Sequence, residues 1–122
     1  FILVFIATVA GFYASLVHSA APLTAEQHST VSSAIDLLEA KGFSDEVFLL
    51  RTTAAFRSNE NWLNASVEKE NAFAATNFPF AIVTLYPEFF ERTSSNVERA
   101  AILLHETKHI QGDDEKAAYE FV

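Results

Sequence analysis

His105, Glu106 and His109 stand in the order His-Glu-x-x-His, within the pentapeptide His105-Glu106-Thr107-Lys108-His109. On a helix that turns once every 3.6 residues, positions i and i+4 share a face, so both imidazoles can reach one metal ion. Glu106, one residue along, can face an activated water instead of the metal. Zinc suits this set, because imidazole and carboxylate are among its ordinary ligands. The chain has no cysteine, which removes thiolate ligands and any disulfide framework and leaves histidine and carboxylate as donors.

A reactive zinc needs three protein ligands and an open fourth position. Glu115 stands six residues after His109 with Gly112 between, so the segment reads H-E-x-x-H-x-x-G-x-x-E. Glycine enters positive φ freely, so Gly112 can turn the chain back and let a residue just beyond it point at the ion. Asp114, Asp113 and Glu120 are alternative third ligands, and a residue beyond Val122 is another. Acidic residues also suit the start of a following helix, which accounts for two of the three neighbouring acids Asp113, Asp114 and Glu115 without any metal. Tyr119 is a candidate donor to a tetrahedral oxyanion, set against a simpler place as a buried structural tyrosine. Lys108 is expected to face solvent.

The elements that must position these residues follow from periodicity and caps. Ser95 and Glu98 have capping-box spacing, and Val97 to Ile110 is expected to be a helix with Val97, Ala100, Ala101 and Leu104 as its buried stripe and Ile102 and Leu103 extending it toward the flanks. Gln111-Gly112 ends it, and a further helix is expected from Asp113 or Asp114 to the end. Phe80 to Tyr86 is the strongest strand signal, stopped by Pro87, and residues 71 to 77 read as a strand or edge segment. Glu88-Phe89-Phe90 reads as a short turn or helical piece, its two rings serving the core. Thr24 and Gln27 open an amphipathic helix over residues 25 to 41 that stops at Gly42. Val47 to Leu50 is expected to be a central strand, and residues 54 to 66 a packed loop or short irregular strands. His18 and His28 are expected to be ordinary solvated residues. Asn64-Ala65-Ser66 is a glycosylation sequon, relevant only to a eukaryotic secretory route.

The chain has 122 residues, half of them apolar, enough for one small domain. Its net charge of −8 argues against a nucleic-acid or anionic-lipid surface. Phe1 to Val17 contains no charged residue and reads as a signal-peptide core or most of a membrane anchor. It starts without Met or a basic stretch, so the N-terminus is read as incomplete. No Lys or Arg follows until Lys41, which suits an exported C-terminal side. The expected organisation is a leader or anchor over residues 1–21 and one extracytoplasmic domain over 22–122, secreted or membrane-anchored.

The strand of residues 80–86, the Phe89-Phe90 pair and Ala101-Ile102-Leu103-Leu104-His105-Glu106 together resemble the core of secreted zincin metallopeptidases, over about the last third of the chain. The segment is similar to the metzincin and deuterolysin-like branches, although there is no third histidine, no G-T-x-D motif and no methionine for a Met-turn. Glu115-Lys116-Ala117-Ala118 instead echoes the ligand helix of gluzincin-type enzymes. The resemblance implies an α+β fold with a small mixed sheet on two helices, His105 and His109 as zinc ligands, and Glu106 as general base. It also implies that a strand before the active-site helix, residues 80–86 or 71–76, pairs with an extended peptide substrate. The expected function is therefore zinc-dependent peptide hydrolysis. The alternatives are a non-catalytic binding module of the same ancestry, or a membrane-anchored α+β domain in which the motif is accidental and its histidines are core residues.

Overall fold

The computed structural model describes residues 1–66 and 73–112. They form a small mixed α+β protein whose three-stranded sheet has the order β1-β3-β2. The strands are β1 (Ala55–Arg57), β2 (Ala74–Asn77) and β3 (Ile82–Leu85). The helices are α1 (Ile2–His18), α2 (Ala25–Ala40), α3 (Ser44–Thr52), α4 (Trp62–Ala65), α5 (Pro87–Glu91) and α6 (Asn96–Ile110). Central β3 pairs in parallel with β1 and antiparallel with β2. All four β3 residues are buried, as a strand covered on both faces requires.

Alternation along the strands divides the two faces. Ala74, Val83, Leu85 and Phe56 point toward α2, α3 and α6, where they join Ile35, Leu38, Leu50 and Leu103 in the main core. On the other face Ile82 packs against Leu16 and Val17 at the end of α1 and against Leu63 of α4. The sheet is therefore the middle of three layers, and α1 contributes the third. Phe12 and Tyr13 extend that layer onto Phe80 and Trp62, and the Trp62 indole donates to Ser15 Oγ at 2.6 Å. The first turns of α1 project beyond this contact: Phe1 to Ile6 are all exposed. Among the described residues no helix is long and apolar enough to cross a membrane.

The caps explain several boundaries. Thr24 accepts from Gln27 N while the Gln27 side chain accepts from Thr24 N, a complete capping box. Gly42 and Gly112 take φ of +91° and +95° just past α2 and α6, the left-handed stop glycine allows. Tyr86 caps α5, with Pro87 at its first position. Phe89 is fully buried and meets Phe90 edge-on.

Three expectations are corrected. Val47 to Leu50 lies inside α3 rather than in a strand. Val47 and Leu50, three apart, are buried while Phe48 between them is 64% exposed, a helical period, with Asp45 and Glu46 favouring the helix start. On α6 the buried residues are Ala100, Leu103, Leu104, His105, Glu106 and Thr107. Val97 is 65% exposed, because the first turn extends past the core, and Ala101 is half-buried. Ser95 does accept from Glu98 N, but the Glu98 carboxylate reaches back to Ser94 N and Oγ instead of to the cap residue. The residues 54–66 form short pieces, β1 and the single turn α4, as their asparagines and aromatics suggest.

Candidate metal centre

The last three turns of α6 carry the site. Leu103 and Leu104 anchor this part of the helix in the core, which forces the next residues inward: His105, Glu106 and Thr107 are all buried, and His109 is half-buried. Thr107 satisfies its hydroxyl by donating to Leu104 O at 2.6 Å. The imidazoles of His105 and His109 lie edge-to-face with ring centroids 5.0 Å apart. His105 Nε2 is 3.9 Å from Glu106 Oε2. One donor atom from each of His105, Glu106 and His109 can be chosen so that all lie within 4.8 Å of one another, close enough to converge on one ion.

The chemistry of this group fits a divalent metal. A carboxylate with no exposure to water is costly unless hydrogen bonds or positive charge compensate it. Part of that compensation comes from β2, where Thr76 Oγ1 donates to Glu106 Oε1 at 2.8 Å. Two imidazoles beside the same carboxylate complete a nitrogen and oxygen donor set of the kind zinc accepts.

Lys108 does not simply face solvent. Its ammonium lies 3.8 Å from Glu46 Oε2, with both side chains about seven-eighths buried, because α3 packs beside α6. Asp113, Asp114, Glu115, Tyr119 and Glu120, and the helix expected from residue 113, lie outside the described residues. Gly112 takes a positive φ of +95°. His18 and His28 are exposed, as expected. A sequon residue, Asn64, is engaged at both ends of its amide: it accepts from Asn77 Nδ2 at 2.9 Å and donates to Thr84 Oγ1 at 3.2 Å.

Two residues near the site escaped the motif-based reading. Thr76 sits on a strand of small residues, and only its alternation with Ala75 and Asn77 places it on the α6 face. Tyr86 is buried at the end of β3, and its phenol is pushed up to about 12, first by burial and then by the negative charges of Glu60, Glu106 and Glu88.

No protein-family model, curated protein or solved structure matches the chain.

Proposed function

We propose that the protein is a zincin-type, zinc-dependent peptidase, with His105 and His109 as metal ligands and Glu106 as general base. The observation that carries this reading is the convergence of two imidazoles and a buried carboxylate on one helix, at the spacing the chemistry needs. Glu115 is the proposed third ligand, with Asp114 and Glu120 as alternatives, and Tyr119 a proposed donor to the oxyanion.

When bound, zinc supplies Lewis acidity that makes a water acidic near neutral pH and polarises a carbonyl. Glu106 takes a proton from the attacking water as the oxygen bonds to the carbonyl carbon. It then passes that proton to the amide nitrogen as the C–N bond breaks, and the carboxylate is restored. His105 and His109 would hold the zinc from one face of α6. Of the two strand segments proposed to pair with substrate, β3 is central and already paired on both sides. That leaves β2, the edge strand packed on α6, to receive an extended peptide. An exported or membrane-anchored location is part of the same proposal, supported by the charge-free first segment.

Metal analysis of the full chain tests the reading. Wild type and Glu106→Gln are expected to hold about one zinc per chain, and His105→Ala and His109→Ala to lose it. Wild type is expected to cleave casein and Glu106→Gln to be slowed at least ~100-fold. A folded wild type without zinc overturns the proposal and leaves the histidines as core residues. Zinc without cleavage would favour the binding module.

A further inference from the structure

Thr76 lies on edge strand β2, opposite Val83 in the antiparallel register, and its hydroxyl meets Glu106 Oε1 at 2.8 Å. We infer that Thr76 is a positioning residue that fixes the Glu106 carboxylate, holding Oε1 from β2 with Oε2 on the His105 side. The kinetic part of this inference rests on the peptidase reading; the coupling between the two residues does not.

A carboxylate oxygen that accepts a hydroxyl hydrogen bond has a lone pair engaged in a strong, charge-assisted contact. Losing that contact would leave a buried carboxylate oxygen and a hydroxyl donor without each other. Oε2 carries no such obligation to Thr76, and it is the oxygen on the His105 side, 3.9 Å from Nε2. The two oxygens of one carboxylate are thus made different, one tethered to β2 and one on the side of His105. Glutamate has three side-chain torsions, and misplacement of a catalytic group by about 1 Å can cost on the order of 100-fold in rate. A tether from a second element removes that freedom before substrate arrives.

Strand β2 is itself held from behind. Asn77, the next residue, points to the opposite face, where it accepts from Asn61 Nδ2 at 2.8 Å and donates to Asn64 Oδ1 at 2.9 Å. Asn64 in turn donates to Thr84 on β3. The asparagines of α4 and its cap therefore fix the strand that fixes Glu106.

The experiment combines stability and kinetics on the full chain. In the metal-free protein, Thr76→Val is expected to lower Tm by several degrees with Glu106 present, and by much less in a Glu106→Leu background. In the zinc-loaded protein, Thr76→Val is expected to keep zinc content and KM while kcat falls about tenfold or more. Thr76→Ser, which keeps the hydroxyl, is expected to restore kcat to within about threefold. Equal Tm losses in the two backgrounds, or a Thr76→Val enzyme with wild-type kcat, would overturn the inference. If Glu106→Leu does not fold, Thr76→Ser decides the stability arm, because a tether requires it to recover the Tm lost in Thr76→Val. A zinc-loaded wild type that cleaves nothing removes the peptidase reading alone, and the Tm comparison still decides whether Thr76 holds Glu106.

Discussion

Tyr86 retains its proton to about 12, against an ordinary value of 10.0, since neither burial nor three nearby carboxylates favour a phenolate. Its proton is held more tightly in the folded than in the unfolded chain. The associated stability is complete below pH ~10 and is lost as the pH rises through ~12. Urea unfolding at pH 8 and pH 11 should show a drop that is smaller in Tyr86→Phe, and the phenolate absorbance of the wild type should develop in a late step that this variant lacks. A second expectation concerns Asn64. Both ends of its amide are engaged inside the fold, so a eukaryotic secretory host should deliver the folded chain without a glycan, seen as an intact mass unchanged by deglycosylation. The histidine pair and Glu106 were legible in the sequence because two residue types at a fixed spacing put both imidazoles on one helix face with the carboxylate beside them. Thr76, Tyr86 and the asparagine group were not, because each acquires its partner across tens of residues and no local pattern marks that.

At the level of elements, the cap residues and glycines were readable for a related reason: a helix end is satisfied by groups within four residues of it. Ser95 illustrates this, accepting from Glu98 N at the start of the helix that carries the site. Ser95→Ala should cost about 1 kcal/mol in urea unfolding and leave metal content unchanged, since the cap lies more than two turns from His105. Leu103 is a different case, fully buried between the sheet and α2. Leu103→Ala should cost about 2–5 kcal/mol and weaken zinc retention as well, because this residue presses the following turn inward. The misread of α3 has an equally physical cause. Four consecutive apolar residues satisfy a buried strand and a helix alike, and only the exposure of Phe48 beside buried Val47 and Leu50 separates the two. Likewise the stripe on α6 was displaced by part of a turn, since the sequence cannot say which flank of an apolar helix meets the sheet.

For the whole molecule, the boundary expected at residue 21 does not divide the packing. Leu16 and Val17 cover one face of β3, and Ile82 beneath them is fully buried. Backbone contacts continue across that boundary, from Ser58 N to Ala21 O at 2.9 Å and through the bridge between Pro22 and Arg57. A chain lacking residues 1–9 should keep its Tm within a few degrees, whereas removal of residues 1–20 should expose Ile82 and Leu63 and lower stability by several kcal/mol, measured by calorimetry. The layer order also sets a schedule during synthesis. At about 5–20 residues per second, β3 leaves the ribosome roughly 3–13 s after Leu16 does. Throughout that interval α1 is an apolar helix with no sheet to cover it, available to any chaperone or targeting factor that recognises emerging hydrophobic segments, so where the polypeptide is delivered can be decided before its own interior competes for the helix.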